Sequence, residues 1–314
     1  MKGIYMGKLI DIQTYPIKDV LDLLLKDKTT KGNIIWATDT YEELGSGYSD
    51  KDEISALQLL NHPDVIKPRI AKDVDTQLVR TRKKAEVYTP VWLCCQMCNY
   101  LDDEWFGREH VFNKLYDNHY WNTTDDKITF PEEKTWQQYV DSRRLEITCG
   151  EAPFLVSRYD TATGNLIVPP KRRIGLLDRK LRIVDENTDT LEDWMTWTTR
   201  AFQSVYGYEL QGDNLLIARI NLLMTFVDYY EYRWRKQPTL KELRPIANII
   251  AWNIWQMDGF KDTVPLGKPL GYEEVDLFAM PAPEEEPAGR VAELCKIRDW
   301  RSGRTVVFHY LKER

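Results

Sequence analysis

The fold of this chain is decided by one stretch near its middle, Leu145-Glu146-Ile147-Thr148-Cys149-Gly150-Glu151-Ala152-Pro153-Phe154-Leu155. The stretch begins apolar and extended, turns at Gly150, and continues into residues that can start a helix. An acidic residue at the end of a strand, followed by a turn of small residues, is how nucleotide-binding folds receive a ligand. We therefore predict that this stretch is the first strand and turn of such a fold.

Two later segments repeat the pattern of a strand that carries an acid near its end. Tyr206 to Leu210 is a short strand candidate with Glu209, and Ala251 to Phe260 is a third candidate with Asp258. Helical patterns separate the three strands, and one of them is an amphipathic helix that begins at Asp213, its expected cap. The order strand, helix, strand, helix, strand predicts an α/β fold with a parallel, Rossmann-like sheet.

The acids of the three strands define a candidate binding site. Ligands of open α/β sheets bind at the carboxyl ends of the strands, so Glu146, Glu209 and Asp258 should converge there. An acid after the second strand can accept both ribose hydroxyls of an adenosine group, and an acid after the third can accept from the adenine amine. Gly150 lets a ligand approach the backbone because it has no side chain. A single acid of this kind is usually a surface carboxylate, whereas three at matching strand ends favour a cofactor that contains adenosine.

Two short motifs make the prediction more specific. Tyr88-Thr89-Pro90 is an aromatic-Thr-Pro motif, and Cys149-Gly150 with Phe154-Leu155 matches the pattern Asp-Pro-Ala-Cys-Gly-Thr-Gly-x-Phe-Leu. Glu146 replaces the aspartate of that pattern and Ala152 replaces its second glycine. In these motifs and their order, the region from residue 80 to residue 314 resembles adenine-N6 DNA methyltransferases of restriction–modification systems.

The resemblance implies a Rossmann-like fold that binds S-adenosylmethionine, and it assigns roles to individual residues. The methionine end of S-adenosylmethionine would be surrounded by Tyr88, Thr89, Glu146, Cys149 and Gly150. Glu209 would hold the ribose, and Asp258 would meet the adenine amine.

One motif of the family is missing. Such enzymes carry a catalytic Asn-Pro-Pro-Tyr or Asp-Pro-Pro-Tyr after the fourth strand, which binds the target amine and stacks on the flipped base. Pro169-Pro170 lacks the flanking acid or amide and the aromatic residue, and the last strand candidate, Thr305 to Leu311, lies next to the end of the chain. We therefore expect an incomplete sheet that forms the cofactor-binding half and supplies no catalytic residue. It would act on duplex DNA with a second polypeptide that carries the catalytic motif and target recognition.

Two other interpretations stay open. A catalytically inactive methyltransferase-like module would bind DNA or a protein partner, and the Glu146 and Ala152 departures favour it. A methyltransferase with a different substrate and an unrecognised catalytic loop would also lack the tetrapeptide. His309 and the region of Asn253 offer polar groups for such a loop, but nothing there assembles into a nucleophile–base pair.

The strongest basic run is Val79-Arg80-Thr81-Arg82-Lys83-Lys84. One interpretation is a solvated face without a partner. The other is a strip in which Arg80, Arg82, Lys83 and Lys84 contact DNA phosphates, which strengthens binding at low salt without reading sequence. The formal net charge of −6 argues against a wholly basic nucleic-acid surface but leaves room for such a local patch.

Composition sets the outer limits of the prediction. With 314 residues, 43% of them apolar and 29% charged, the chain has the character of a globular protein with a substantial core. The sequence opens without an apolar signal region, and no stretch approaches roughly 18 uninterrupted apolar residues, so we expect a cytoplasmic protein without a membrane segment. We divide the chain into an N-terminal cap region at residues 1–80 and a methyltransferase-like domain at residues 81–314.

The cysteines raise the question of a metal site. Cys94, Cys95 and Cys98 share one segment after Pro90, among five cysteines in the whole chain. The segment fits either part of a metal site or a helix whose small side chains face the core. Only four histidines and no second cysteine pair at zinc spacing accompany it, so we predict the helix and no metal.

Overall fold

The computed structural model describes residues 9–84, 86, 89–268, 270 and 293–312, and the predicted site residue Tyr88 lies outside them. The helices are α1 (Ile17–Leu24), α2 (Ala56–Asn61), α3 (Val74–Lys84), α4 (Val91–Phe106), α5 (Trp136–Asp141), α6 (Leu176–Asn187), α7 (Leu191–Gln203), α8 (Gly212–Trp234) and α9 (Leu240–Asn253). The strands are β1 (Asn113–Leu115), β2 (Trp121–Thr123), β3 (Arg144–Glu146), β4 (Val205–Glu209), β5 (Ile254–Gln256), β6 (Lys296–Asp299) and β7 (Arg304–Val307). Within these ranges, no helix combines the length and the apolar character that crossing a membrane requires.

Three of the strands form a parallel sheet in the order β3-β4-β5, so the mixed α/β architecture and the parallel sheet are confirmed. Helices α6 and α7 connect β3 to β4, and α8 and α9 connect β4 to β5. The register pairs Glu146 with Gly207 and Glu209 with Gln256. Because the strands run in the same direction, their carboxyl ends lie at the same edge of the sheet.

The third strand is shorter than the sequence predicted. Helix α9 continues through Asn253, and β5 begins at Ile254, so the predicted start at Ala251 is wrong. The Asn253 side-chain amide donates to the carbonyls of Phe202 at 3.0 Å and Val205 at 2.9 Å. These bonds fix the junction between α9 and the sheet, which the local apolar pattern cannot indicate.

Helix α8 lies at the centre of the molecule. We predicted an amphipathic helix, but its residues are buried almost continuously from Gly212 to Val227. The reason is that β4 and β5 contact α8 on one side, while α1, α6 and α9 contact it elsewhere. A helix covered on several sides buries its whole circumference. Side chains from both sides of residue 80, such as Leu21 and Leu216, therefore belong to one hydrophobic cluster.

Strands β6 and β7 form an antiparallel hairpin that covers part of the parallel sheet. Phe308, just after β7, packs on Trp255 with ring centroids 5.0 Å apart, and Ile297 of β6 joins the same cluster. The final strand predicted from Thr305 therefore exists, but it pairs with β6 and not with the parallel sheet. On the β3 side, the parallel sheet of the described residues ends at β3 itself.

Gly212, the first residue of α8, lies against the backbone of the N-terminal region. Its N–H donates to the Trp36 carbonyl at 2.9 Å, and an added Cβ would lie 2.0 Å from the Ile35 carbonyl oxygen. We expect Gly212→Ala to lower the free energy of unfolding by about 2 kcal/mol, measured by urea denaturation, because backbone cannot yield as a side chain can. Gly32→Ala is the control, since its Cβ would meet only the Glu53 carboxylate. Equal losses in the two variants would contradict the close approach at α8.

Candidate functional site

A cavity of about 700 Å³ opens at the carboxyl ends of the parallel strands. It is lined by Glu86, Thr89, Glu146, Ile147, Thr148, Cys149, Gly150, Pro153, Phe154, Tyr208, Glu209, Leu210, Gln211, Asn214, Met257, Asp258, Gly259 and Phe260. Six of the seven residues that the sequence singled out for a cofactor are among them: Thr89, Glu146, Cys149, Gly150, Glu209 and Asp258. The convergence of the strand-end residues is thus a feature of the structure. A second cavity, of about 790 Å³, lies beside α5 and α7 and shares no lining residue with the first.

The turn after β3 is unusually tight. Thr148, Gly150 and Ala152 all have positive φ, at 44°, 53° and 62°. A non-glycine residue in this region is uncommon, and for the β-branched Thr148 it is a genuine outlier. The turn is held by its own amides, because Cys149 N–H donates to the Tyr208 carbonyl at 2.8 Å. The end of β3 is thereby tied to the end of β4, and Ala152 adopts the conformation that favours the glycine it replaces.

Glu146 closes the far end of this turn. Its two carboxylate oxygens accept from the backbone N–H groups of Phe154 at 3.3 Å and Leu155 at 3.0 Å. Glu146 is buried, and loss of solvent raises its pKa to about 8, even though the two hydrogen bonds act in the opposite direction. At neutral pH the Glu146 carboxyl is therefore largely protonated in the folded chain.

This raised pKa makes stability depend on pH with a definite sign. The folded chain binds the Glu146 proton more tightly than the unfolded chain, so Glu146 costs stability as pH rises from about 4.5 towards about 8. Glu146→Gln removes that cost, but its NH₂ replaces one of the two acceptor oxygens and faces the N–H of Phe154 or Leu155, a loss that does not depend on pH. We therefore expect the stability of the variant relative to the wild type to rise by about 2 kcal/mol between about pH 4.5 and about pH 8 in urea denaturation. For the exposed Glu133→Gln the difference from the wild type should stay constant over this range, and the same result for Glu146→Gln would contradict the pKa.

Glu209, the last residue of β4, also lines the cavity. Its Oε2 accepts from Gly150 N–H at 2.9 Å and its Oε1 accepts from Gln211 N–H at 3.1 Å. Burial raises its pKa, and the two backbone donors oppose that shift. A carboxylate has about four acceptor positions, so Glu209 keeps capacity for donors from a ligand after these two bonds.

Asp258 is the third strand-end acid that lines the cavity. It accepts from the N–H groups of Phe260 at 3.0 Å and Lys261 at 3.3 Å, and the Lys261 ammonium lies 3.4 Å from its Oδ2. These contacts fold the chain back so that Phe260 stands at the rim of the cavity with its ring fully exposed. The sequence analysis did not assign Phe260 a role of its own. The sequence feature that could have indicated its role is its position, because it is an aromatic residue two positions after the strand-end acid Asp258.

The basic run of α3 differs from the predicted phosphate strip. Arg80 is 1% exposed, and its guanidinium donates to Glu86 Oε2 at 2.6 Å and lies 3.0 Å from Asp213 Oδ2. The prediction that Arg80 contacts DNA is therefore wrong, because helical periodicity turns this side chain into the interior. Arg82 is exposed, and the side chains of Lys83 and Lys84 lie outside the described residues.

The cysteines of α4 face the interior, as the helical interpretation predicted. Cys94, Cys95 and Cys98 are fully buried, and burial raises the pKa of Cys98 to about 12. Burial of all three thiols fits a helix that packs these small side chains into the core. Across the part of the chain that the structure describes, no group of three His, Cys, Asp or Glu side chains is placed to hold a metal ion.

The acidic side chains that line the cavity are those of Glu86, Glu146, Glu209 and Asp258, and no lysine or arginine is among its described lining residues. Glu146 is largely protonated at neutral pH, and Arg80 and Lys261 pair with Glu86 and Asp258. The cavity therefore favours a ligand that donates hydrogen bonds more than a ligand of a particular charge.

Comparison of the chain with protein-family models, with curated proteins and with solved structures gave no match. The features of the cavity that bear on the identity of its ligand are the strand-end carboxyl groups with acceptor capacity, the exposed Phe260 ring and the tight turn after β3.

Proposed function

We propose that this chain is the S-adenosylmethionine-binding subunit of an adenine-N6 DNA methyltransferase from a restriction–modification system. The observation that carries the proposal is the single cavity into which Glu146, Glu209 and Asp258 converge from three parallel strands. A second polypeptide would supply the Asn-Pro-Pro-Tyr motif and recognition of duplex DNA. The proposed enzyme would act in the cytoplasm.

The hydrogen-bond acceptors of the cavity support this cofactor. S-adenosylmethionine carries hydroxyl and amine donors, and the cavity wall offers carboxyl oxygens on Glu209 and Asp258. In the proposed arrangement Glu209 accepts from the ribose hydroxyls, Asp258 accepts from the adenine amine, and Phe260 stacks on the adenine ring. Thr89, Glu146, Cys149 and Gly150, which also line the cavity, would surround the methionine part. When bound, the cofactor supplies an electrophilic methyl group, and the residues of this chain bind and orient it.

The test is a calorimetric titration of S-adenosylmethionine into the full chain. We expect binding, and we expect Asp258→Ala to weaken it about tenfold, the effect of losing one hydrogen bond to a charged acceptor. Asp75→Ala is the control, because Asp75 is exposed on α3 and does not line the cavity. Adding the polypeptide that carries the catalytic motif should then restore methylation of adenine in duplex DNA. Absence of cofactor binding, with and without that polypeptide, would overturn the proposal.

A catalytically inactive DNA- or protein-binding module is the second candidate. It is favoured by the turn itself, where Ala152 replaces a glycine and the Gly150 N–H is already bonded to Glu209. A gel-shift assay across a range of salt concentrations distinguishes the two. A module that binds DNA through α3 should lose salt dependence when Arg82, Lys83 and Lys84 are replaced by alanine. It should also bind DNA without any response to S-adenosylmethionine.

A further inference from the structure

Glu86 was not among the residues that the sequence singled out, yet it has an unusual position in the cavity wall. It is 7% exposed, and its Oε2 accepts from Arg80 Nε at 2.6 Å and from Asn214 Nδ2 at 3.1 Å. Its other oxygen, Oε1, is buried and has no hydrogen-bond partner among the described residues. Glu86 is one of the lining residues of the cavity, so this oxygen belongs to a side chain of the cavity wall.

A buried carboxylate oxygen without a donor destabilises the unliganded chain, and more so when the group is charged. Gln211 lines the same cavity, and its Oε1 is likewise buried and without a partner among the described residues. Two unsatisfied acceptors in one wall call for a ligand that brings N–H or O–H groups. A charged donor such as an ammonium makes a stronger hydrogen bond to a carboxylate than a neutral donor does.

The chemistry of the proposed ligand identifies that donor. Glu209 and Asp258 are assigned to the ribose and to the adenine, and the sulfonium has no hydrogen to donate. The donor that remains in S-adenosylmethionine is the α-ammonium of its methionine part. We infer that Glu86 Oε1 accepts a hydrogen bond from this ammonium. The inference rests on the proposed function and adds a specificity-determining residue to it.

The surroundings of Glu86 prepare it for this role. Arg80 and Asn214 hold Oε2, so the carboxylate keeps one orientation and Oε1 is the oxygen that remains without a donor among the described residues. Arg80 is itself fixed by Asp213, which is completely buried. The ligand therefore meets an acceptor that is already in place, and little side-chain entropy is lost on binding.

Glu86→Gln changes the proposed contact and keeps the hydrogen bonds of the network, although it removes the negative charge that pairs with Arg80. The amide oxygen can take the place of Oε2 and keep the bonds from Arg80 and Asn214, while the NH₂ replaces Oε1 and turns an acceptor into a donor. The probes are S-adenosylhomocysteine and its analogue that lacks only the α-amino group, each titrated into the full chain by calorimetry. We expect the wild type to bind S-adenosylhomocysteine about tenfold more tightly than the deamino analogue, and Glu86→Gln to abolish that preference.

The outcomes separate the inference from the proposed function. Glu186→Gln is the matched control, because Glu186 pairs with Arg182 at 2.7 Å outside the cavity, and it should keep the tenfold preference. A wild type that binds both probes equally overturns the inference without needing any variant to fold. The inference is also overturned if Glu86→Gln folds and still binds S-adenosylhomocysteine about tenfold more tightly than the deamino analogue. If the wild type binds neither probe nor S-adenosylmethionine, the proposed function fails and the inference fails with it.

Discussion

Asp213→Asn is expected to lower the free energy of unfolding by about 3 kcal/mol at pH 7. Asp213 is completely buried, and its carboxylate accepts from Lys72 Nζ at 3.0 Å, Tyr41 OH at 2.7 Å and the Arg80 guanidinium at 3.1 Å. Asparagine keeps the shape but removes the charge, so Arg80 would keep only Glu86 of its two carboxylates and Lys72 would lose the carboxylate with which it pairs. Uncompensated buried charge is among the few causes of so large a loss from one substitution.

The pH dependence gives this prediction a second, independent readout. Burial by itself would raise the pKa of Asp213, but Lys72 and Arg80 outweigh it and hold the pKa well below its ordinary value. Asp213 therefore contributes stability that is present above about pH 4 and is lost only as pH falls towards the folded pKa. The deficit of Asp213→Asn in urea denaturation should be constant from pH 5 to pH 8 and should narrow only in stronger acid. Asp75→Asn, an exposed change on α3, should have no such deficit, and a loss below about 1 kcal/mol for Asp213→Asn would contradict the buried network.

Local sequence patterns could predict the sheet and the convergence at its edge. Glu209 and Asp258 follow short apolar runs separated by helical patterns, and parallel strands bring their carboxyl ends together whatever the tertiary details. The N-cap of α7 was equally local, because Thr190 accepts from Asp193 N–H three residues later. Features of this kind depend only on neighbours in the chain or on a rule of topology.

The buried network could not be predicted in this way. Arg80 and Asp213 are 133 residues apart, and each had a sufficient local explanation, as part of a basic run and as a helix cap. The Asp213 cap prediction was wrong, because the residue before α8 is Gln211 and the Asp213 carboxylate faces the N-terminal region. A charge that is paired across the fold has the same sequence signature as a solvated one. Glu86 was overlooked for this reason too.

The network also connects the N-terminal region to the cavity. Tyr41 and Lys72 bind Asp213 on one side of Arg80, while Glu86 and Asn214, on its other side, line the cavity. The start of α8 thus anchors the N-terminal region through Asp213 and lines the cavity through Asn214. A substitution in this network should reduce stability more than ligand affinity. A substitution at the strand ends should instead reduce ligand affinity more than stability.

Glu209→Gln is expected to have the largest effect on ligand binding, a loss of about 100-fold in affinity for S-adenosylmethionine if the proposed function holds. In that proposal the Glu209 carboxylate accepts from two ribose hydroxyls, each bond to a charged acceptor contributing about 1.5–3 kcal/mol. Glutamine has one acceptor oxygen, and its NH₂ would face the N–H of Gly150 or of Gln211. Relief of the raised Glu209 pKa offsets part of the lost hydrogen bonding in the unliganded chain, so stability should change much less than affinity.

The ribose assignment has a sharper test in the 2′,3′-dideoxy analogue of S-adenosylhomocysteine. The wild type should bind this analogue about 100-fold more weakly than S-adenosylhomocysteine, and Glu209→Gln should bind the two almost equally, because the hydroxyls then have no charged acceptor. Asp258→Ala serves as the control within the cavity, since it should weaken both ligands by the same factor. If Glu209→Gln keeps the wild-type preference for the hydroxylated ligand, Glu209 does not hold the ribose. The carboxylate would then serve only to tie the β3 turn to the start of α8.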